Sequence, residues 1–369
     1  MSEDISSVGI VGGGQLARML ALAGYPLGLR CVVLDPASDA CAGQVAPQVH
    51  GEYDDLEALD ELARRSDVVT FDFENVPAAA LAHLADEVPV HPCPAALACA
   101  QDRLAEKTLF NQLGIGTAPY ATVDSREQLG AAVATIGLPA VLKTRRLGYD
   151  GKGQQVLRSA ADLDTAWDAL GGVPLILEGF VDFTRELSIL AVRSLSGEEA
   201  FYPLTENRHA DGILRLSRAP CADAALQAAA QDCARAVVER LDYVGVLAIE
   251  FFDCGGRLIA NEMAPRVHNS GHWTIEGART SQFENHLRAI CGLPLGSTAA
   301  LGPVAMLNFI GRLPPREAFL AHPDVHWHDY GKVPRHGRKV GHATLCADSP
   351  AALDALLATL APQVPADAG

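Results

Sequence analysis

The sequence contains no apolar run long enough to span a bilayer, and its start, MSEDISSVGIVGGG, lacks a basic flank followed by an apolar segment. These absences argue against a membrane partner, so we expect a cytoplasmic protein. Cysteine pairs at C-x-x-C spacing are absent as well, although the chain of 369 residues contains 9 cysteines. An odd number of scattered thiols is typical of a reduced, mostly structural set.

Excess positive charge is also missing. The chain has 29 Lys and Arg residues against 45 Asp and Glu residues, which gives a formal net charge of -16. That balance disfavours nucleic acid and anionic membranes as partners, while a local basic cluster can still bind a small phosphorylated ligand. Because a chain of this length exceeds one ordinary core, we expect two or three domains that share a cleft.

The most informative stretch is a predicted β-hairpin in the second half of the chain. Two apolar runs, Val246 to Phe252 and Leu258 to Met263, flank the turn sequence Asp253-Cys254-Gly255-Gly256. Each run carries one acid, Glu250 or Glu262. The residues beyond the second acid are polar, cationic or aromatic: Arg266, His268, Asn269, Ser270, His272 and Trp273. Two acids followed by a cation indicate a hard metal ion together with an anionic ligand.

The length of the hairpin loop decides whether the two acids can act together. A two-residue turn at Cys254-Gly255 puts the carboxylates of Glu250 and Glu262 on opposite faces of the sheet. A three-residue loop that ends at Gly256 sets Glu250 opposite Ala260. Glu262 then becomes a diagonal neighbour on the same face. We predict this second register, and the alternative is that one acid is an ordinary solvent-facing residue.

A glycine-rich turn follows the first predicted strand. Ser7 to Val11 is apolar, Gly12-Gly13-Gly14 forms the turn, a helix starts at Gln15, and the second strand ends at Asp35. This arrangement matches the dinucleotide fingerprint, in which amides at a helix start bind phosphate. A nicotinamide dehydrogenase is one interpretation, and a tightly packed turn is another, because both need the same glycines.

Other charged residues have two interpretations each. Glu74 and Asn75 end a third predicted strand, where parallel sheets place their ligands, but they can equally cap the helix that begins near Pro77. Arg103 and Lys107 lie one helical turn apart, which usually indicates only a charged surface. Sequence pattern alone leaves these alternatives open.

Residues 139–156 read as a strand, a polar loop and a second strand. Lys143 lies inside the first strand among apolar residues, and a buried ammonium group needs a partner such as phosphate. Gly148, Gly151 and Gly153 loosen the loop, as expected of a mobile lid over a triphosphate. The alternative is a solvated hairpin tip, which the strand lysine disfavours.

Later segments are less specific. An apolar strand runs into Glu178-Gly179-Phe180-Val181, which can offer backbone groups to an adenine edge, while Glu186 can reach ribose hydroxyls. His209 lies in a polar excursion and is more often incidental there. In the tail, residues 332–339 form a basic island that can pair with a phosphate, and the alternative is a solvated basic hairpin.

Taken in order, these motifs resemble the ATP-grasp superfamily over nearly the whole chain. The resemblance rests on Gly12-Gly13-Gly14-Gln15-Leu16-Ala17, Phe73 to Pro77, Gln101 to Leu104, Lys143 to Arg146, Gly148 to Gln154 and Asn261 to Thr274. It implies the α/β class and an ATP-grasp fold with an N-terminal parallel-sheet (Rossmann-like, pre-ATP-grasp) domain and a small C-terminal α+β domain. The implied domains are residues 1–100, residues 101–300 with a mobile lid near 118–190, and residues 301–369.

The resemblance also assigns site residues. The implied ATP contacts are Arg103, Lys143, Gly148, Tyr149, Asp150, Gly151, Lys152, Gly153, Gln154, Glu178, Gly179, Phe180, Val181, Glu186, His209, Asn261 and Glu262. The implied substrate contacts are Gln15, Glu74, Tyr149, Arg266, Asn269, Lys332 and Arg338. Glu250 and Glu262 are implied to hold magnesium, with two ions expected.

Within the superfamily, the resemblance is to carboxylating enzymes of purine biosynthesis. It implies that bicarbonate attacks the γ-phosphate of ATP and that the resulting carboxyphosphate carboxylates the amine of aminoimidazole ribonucleotide, with release of ADP and phosphate. Lys143 and Lys152 would neutralise developing charge, and Arg266 would hold bicarbonate or the departing phosphate. Ala264 stands where related biotin-dependent enzymes have an asparagine metal ligand, and no biotin is expected. A homodimer is implied.

Three rival functions remain at this stage. A formate-using ligase of the same superfamily would share the ATP chemistry and differ in substrate. A dehydrogenase would have no use for Glu250, Glu262 and Lys143. A catalytically silent nucleotide-binding regulator would be expected to have lost one of these three residues.

Overall fold

The first sheet lies in the amino-terminal part of the computed structural model, which describes residues 5–148 and 151–367. Its segment contains β1 Ser7–Val11, α1 Gln15–Gly24, β2 Arg30–Asp35, β3 Gln48–His50, α2 Leu56–Arg64, β4 Val68–Phe71, α3 Ala78–Glu87 and α4 Pro94–Ala100. The strands are parallel, in the order β3-β2-β1-β4. Separate apolar clusters cover the two faces of the sheet, which is why its strands read as continuous apolar runs.

The second sheet is antiparallel and small. Its segment contains α5 Arg103–Gln112, β5 Tyr120–Val123, α6 Arg126–Ile136, β6 Ala140–Thr144, β7 Gln154–Leu157, α7 Asp162–Leu170 and β8 Leu175–Gly179. The strand order is β5-β8-β6-β7. Leu129 of α6 and Leu163 of α7 pack with Leu142 and Leu177 of the sheet. The predicted strand, loop and strand around Lys143 are confirmed as β6 and β7.

The third sheet extends from the middle of the chain into its carboxyl-terminal segment. The middle elements are β9 Arg185–Arg193, β10 Glu199–Phe201, β11 Thr205–Ala210, β12 Ile213–Ala219, α8 Ala224–Arg240, β13 Gly245–Asp253, β14 Leu258–Ala264, α9 Thr274–Gly277 and α10 Gln282–Ile290. The last elements are β15 Val304–Ile310, α11 Arg316–Leu320, β16 Val325–Asp329, β17 Lys339–Cys346 and α12 Pro350–Leu360. The strand order is β14-β13-β9-β11-β12-β15-β17-β16, and β10 pairs with β9.

Pairing between β12 and β15 makes the carboxyl-terminal strands part of the third sheet. Leu216 lies opposite Leu307 across this junction, and the strands run antiparallel. The α+β tail expected from the sequence therefore shares its backbone hydrogen bonds with the middle of the chain. Within residues 5–148 and 151–367, none of the helices has the combined length and apolar character needed to cross a bilayer.

The β13–β14 hairpin has a different register from the one predicted. Gly255 and Gly256 both have positive φ, 67° and 89°, so they form the two central residues of a tight turn, and the predicted three-residue loop is wrong. Glu250 lies opposite Glu262, and Ala260 lies opposite the next residue along β13. The extra residue on β14 is Asn261, which forms a bulge.

The consequence for the two acids is nevertheless the predicted one. Residues directly opposite each other in an antiparallel pair project on the same face, with their Cβ atoms about 4.5–5.5 Å apart. The shared face of Glu250 and Glu262 is therefore confirmed, although a bulge and not the loop length produces it.

A buried histidine pair lies where the third sheet meets the segment around α9. The His272 and His342 side chains are fully buried, with ring centroids 5.1 Å apart. His342 Nδ1 is 2.8 Å from the Tyr330 hydroxyl, and the Nε2 atoms of both histidines are without a partner in the described part of the chain. Burial lowers the pKa of both imidazoles well below the ordinary histidine value, and the neighbouring His328 lowers each pKa further.

The buried pair predicts sensitivity to acid. A histidine that is neutral when folded and has a pKa near 6.5 when unfolded stabilises the fold above about pH 6.5, and this contribution is lost as the pH falls below that value. We expect the unfolding free energy of His342→Gln to fall less steeply below about pH 6.5, by about 1.4 kcal/mol per pH unit, than that of the unchanged chain. Urea unfolding at a series of pH values measures both slopes. Parallel pH profiles would contradict the assignment.

Candidate active site

Two carboxylates in unlike electrostatic surroundings form the centre of the site: the Glu250 side chain is largely buried, and the Glu262 side chain is half-exposed. Glu262 Oε2 accepts a hydrogen bond from Arg103 Nη1 at 3.0 Å, and Arg103 is the first residue of α5. Burial raises the pKa of Glu262, but the charges of Arg103 and Lys143 lower it by more, so the net pKa lies below the ordinary value. Burial and the nearby Glu262 raise the pKa of Glu250 to about 7. The site is therefore short of positive charge beside Glu250.

A second buried cluster places one carboxylate between two lysines. Glu178 Oε2 is 3.0 Å from Lys143 Nζ and 3.2 Å from Lys107 Nζ. Burial lowers the pKa of Lys143, while Glu178 opposes that shift. The partner that the sequence analysis assigned to Lys143, a phosphate, is here a carboxylate of β8. The interpretation of Lys107 as part of a charged helix surface is wrong, because its side chain is fully buried.

His209 of β11 and Glu186 of β9 form a pair on the third sheet. The Nδ1 atom of His209 lies 2.8 Å from Glu186 Oε2. Burial lowers the pKa of His209, but the hydrogen bond with Glu186 and the charge of Glu250 raise it to a net value above the ordinary one. His209 is therefore a paired, half-buried residue rather than the incidental loop residue that its sequence position suggested.

The glycine loop of the second sheet is described in part. Tyr149 and Asp150 lie outside the described residues, so their predicted contacts cannot be placed. The described residues include Gly148, Gly151, Lys152, Gly153 and Gln154. Gly153 accepts a hydrogen bond from the Thr144 amide at 2.8 Å, which closes the base of the loop. Gly148 lies near Arg103, with an added Cβ atom 3.4 Å from Arg103 Nη2.

In the connection after β8, two backbone amides are already bonded to carbonyl groups of the protein. The amide of Gly179 donates to the Pro119 carbonyl at 2.8 Å, and that of Phe180 donates to the Pro139 carbonyl at 3.1 Å. The Phe180 side chain is 48% exposed, so it presents an apolar surface to solvent next to Val181.

The residues predicted to bind substrate occur in pairs that join different segments. Arg266 Nη2 is 2.8 Å from Glu74 Oε1, while Arg266 Nε is buried without a partner among the described residues. Lys332 Nζ contacts Gln15 Oε1 at the start of α1. Each pair links residues far apart in the chain.

Asn269 and Arg338 have partners from the carboxyl-terminal segment. Asn269 exchanges two amide hydrogen bonds with Asn308 of β15, at 3.1 and 2.6 Å. Arg338 Nη1 donates to the Val333 carbonyl of its own loop at 3.1 Å. Burial lowers the pKa of Lys332, and the charge of Arg338 contributes to that shift, which indicates that the two cations are near each other.

The amides of the first glycine turn donate hydrogen bonds to two carboxylates of the protein itself. Gly13 N donates to Asp35 Oδ2 and Gly14 N donates to Asp72 Oδ2, both at 2.7 Å. Gly12 has a φ of 105°, and a Cβ atom there would lie 1.8 Å from Asp72 Oδ1. Its glycine is thus needed for close packing, and the dinucleotide interpretation of this turn is wrong.

The chain is similar to known proteins over most of its length. The family model of the ribonucleotide synthetase preATP-grasp domain matches residues 5–101, that of the ATP-grasp domain matches residues 108–283, and that of the phosphoribosylaminoimidazole carboxylase C-terminal domain matches residues 304–356. The N5-carboxyaminoimidazole ribonucleotide synthase of Pseudomonas aeruginosa is 59% identical over 342 residues, which cover 92% of this chain and 95% of the relative. The chain belongs to the N5-carboxyaminoimidazole ribonucleotide synthase family.

Solved structures of the N5-carboxyaminoimidazole ribonucleotide synthase family show the same fold. The synthetase of Thermus thermophilus superposes with a TM-score of 0.94 at 56% identity and covers 97% of this chain and 99% of its own. The Aspergillus clavatus enzyme, solved in complex with ADP and 5-aminoimidazole ribonucleotide, has a TM-score of 0.92 at 33% identity and covers 98% of this chain and 99% of its own. The ATP-grasp fold predicted from the sequence is confirmed.

The donor set at Glu250 and Glu262 fits a hard divalent cation in part. Both side chains offer carboxylate oxygens, the ligands that magnesium prefers, and Glu250 is short of positive charge. Within the described residues, no group of three His, Cys, Asp or Glu side chains is arranged to hold a metal ion. A cation here would take its other ligands from phosphates and water, as magnesium commonly does in nucleotide sites of this enzyme class.

Sequence reasoning missed two residues of the site, Glu106 and Lys107. The Glu106 side chain is buried, and Glu106 Oε1 accepts a hydrogen bond from Met263 N at 2.6 Å. Burial and the charge of Glu262 raise the pKa of Glu106 to about 8. A signal was available, because Glu106 precedes the apolar Leu109 and Phe110 by three and four positions and so lies on the buried face of α5.

The cluster around Glu178 predicts a large stability difference between two variants. Glu178→Leu leaves Lys107 and Lys143 buried together without a counter-charge, so we expect the free energy of unfolding to fall by about 3–5 kcal/mol. Lys143→Met keeps the Lys107 pair and is expected to cost clearly less. Urea unfolding at neutral pH measures both losses. Equal losses would show that Glu178 does not balance two lysines.

Proposed function

We propose that this chain catalyses the carboxylation of 5-aminoimidazole ribonucleotide to N5-carboxyaminoimidazole ribonucleotide, driven by ATP and bicarbonate, with release of ADP and phosphate. The observation that carries the proposal is the cross-strand pair Glu250 and Glu262, which lies beside the cations Arg103 and Lys143. Membership of the family and the ligands of the Aspergillus clavatus relative support this choice of substrates.

Glu250 and Glu262 would hold magnesium, and we propose two ions. When bound, the metal would offset the negative charge of the ATP phosphates. Arg103 and Lys143 border the Glu262 carboxylate, and they would bind the phosphates together with Lys152 of the glycine loop. Glu186 and His209 would contact the ribose, and residues 178–181 the adenine.

Arg266 is the proposed binding group for bicarbonate and for the departing phosphate. Its Nη2 atom is held by Glu74, while its buried Nε atom has no hydrogen-bond partner among the described residues. A planar guanidinium with a free donor suits a planar oxyanion. In the proposed reaction, a bicarbonate oxygen forms a bond to the γ-phosphorus as the bond to ADP breaks. The carboxyl group of the resulting carboxyphosphate then bonds to the amine nitrogen of the ribonucleotide as phosphate leaves.

The carboxyl-terminal basic segment is the proposed site for the 5'-phosphate of the ribonucleotide. Lys332 and Arg338 lie near each other, and the contact of Lys332 with Gln15 brings this segment to the carboxyl edge of the first sheet. Parallel sheets place ligands at that edge. Asn269 would fix the nucleotide from the side of the third sheet.

The proposal also includes the cellular context implied by the family. We propose a cytoplasmic homodimer that uses no biotin. The 9 cysteines are free thiols, as expected in a reducing compartment. The net charge of -16 is consistent with small-molecule partners only.

The substrate requirement tests the proposed reaction. We expect ADP release to require bicarbonate, aminoimidazole ribonucleotide and magnesium together, and Glu262→Gln to lower the rate by about 100-fold or more because a carboxylate that would hold magnesium is lost. Glu239→Gln, on the exposed side of α8, is the control and should retain full activity. A coupled assay for ADP measures the rates.

The alternatives make distinct predictions in that assay. Activity with formate in place of bicarbonate would support the formate-using ligase. No turnover with any combination of substrates would support a silent regulator. Full activity of Glu262→Gln would remove the metal assignment.

The phosphate site predicts a difference between ribonucleotide and riboside. Arg338→Ala removes a charged hydrogen bond, worth about 1.5–3 kcal/mol, so KM for aminoimidazole ribonucleotide should rise by about tenfold or more. ATP affinity should barely change. Aminoimidazole riboside lacks the phosphate and should lose little further activity on mutation. Arg316→Ala, exposed at the start of α11 and outside the basic segment, is the control and should behave like the unchanged chain.

Steady-state kinetics with both substrates measures these effects. Equal losses for riboside and ribonucleotide in Arg338→Ala would place the phosphate elsewhere.

A further inference from the structure

The bulge at Asn261 sets the position of Glu262. From the turn onward, β14 pairs so that Phe251 lies opposite Ala260, and without an extra residue Asn261 would lie opposite Glu250. Glu262 would then project on the opposite face of the sheet, because side chains alternate along a strand. The extra residue brings Glu262 opposite Glu250 instead.

A bulge disrupts the hydrogen-bond ladder, and buried backbone groups near it need other partners. The Met263 amide donates to Glu106 Oε1 at 2.6 Å, and the Asn261 carbonyl accepts from Lys107 Nζ at 3.3 Å. Glu106 is 2% exposed and Lys107 is 0% exposed, so both contacts are shielded from water.

One side of α5 therefore holds three consecutive residues of β14. Arg103 contacts the side chain of Glu262, while Glu106 and Lys107 contact the backbone on either side of it. Residues three and four positions apart lie on one helix face, which is the spacing of these three residues. Lys107 also contacts Glu178, so the same helix connects β14 to the second sheet.

We propose that Glu106 and Lys107 are positioning residues that hold the β14 bulge and thereby keep the Glu262 carboxylate beside Glu250 for a divalent cation. The inference rests on the proposed function of Glu250 and Glu262. Neither Glu106 nor Lys107 binds the cation itself: each acts through the backbone of Asn261 or Met263.

The test compares ADP affinity with magnesium and with EDTA, measured by isothermal titration calorimetry on the full chain. Glu106→Met cannot accept the Met263 hydrogen bond, so the gain in ADP affinity caused by magnesium should fall by about tenfold or more, a loss typical of groups that orient metal ligands. Glu106→Gln retains an acceptor oxygen, so the hydrogen bond from the Met263 amide can still form. The magnesium-dependent gain in ADP affinity should then stay within about twofold of that of the unmodified chain. Affinity in EDTA should change little in either variant.

A destabilised control separates positioning from general damage. Leu109→Ala opens a cavity on the same helix, in the core next to α8, and should lower Tm while leaving the magnesium-dependent gain intact. If Glu106→Met does not fold, Lys107→Met and Lys107→Gln give the same comparison at the Asn261 carbonyl, because only glutamine can donate to it.

The outcomes distinguish this inference from the function on which it rests. An unchanged magnesium-dependent gain in Glu106→Met, or in Lys107→Met where that pair is used, overturns the positioning role. So does an equal loss in the Met and Gln variants. If magnesium does not raise ADP affinity in the unmodified chain, the metal site itself is wrong, and the inference falls with it.

Discussion

The structure depends on the electrostatic balance around two carboxylates that face each other across neighbouring strands. Placing two acids opposite each other in a sheet is unfavourable, and burial increases the repulsion because the surroundings screen charge poorly. The protein offsets part of this charge with Arg103 at Glu262, and it leaves Glu250 to ionise only near neutral pH. The same imbalance that costs stability leaves negative charge that a bound cation would offset.

The remaining architecture joins segments that are far apart in the chain. Glu74, after β4, pairs with Arg266, and Arg103 of α5 pairs with Glu262. The third sheet continues through the β12–β15 junction, so the carboxyl-terminal segment is fixed to the middle of the chain by backbone hydrogen bonds. Lys332 consequently reaches Gln15 from a position 317 residues later in the sequence.

Much of this arrangement could be predicted from local patterns. The strand that contains Lys143 and the two strands of the hairpin follow from apolar periodicity and turn residues. The shared face of the two acids comes from the bulge and not from the loop length on which its prediction was based. The register could not be predicted, because the side chains that bond the backbone beside the bulge at Asn261 lie on α5, more than 150 residues earlier. Sequence neighbours also could not show that Lys107 is buried or that Glu178 pairs with Lys143. Each miss concerns a contact between segments that are far apart along the chain.

The occupied glycine turn has a consequence for ligand selectivity. Asp35 and Asp72 are covalently part of the chain, and each is already hydrogen-bonded to an amide of the turn. An incoming pyrophosphate would have to displace them. A tethered group competes at an effective concentration that reaches about millimolar even on a short flexible linker, and a rigid buried carboxylate is held in place more strongly. The two aspartates therefore compete with any phosphate group for the amides of the turn. A dinucleotide at ordinary cellular concentration is expected to bind there only weakly.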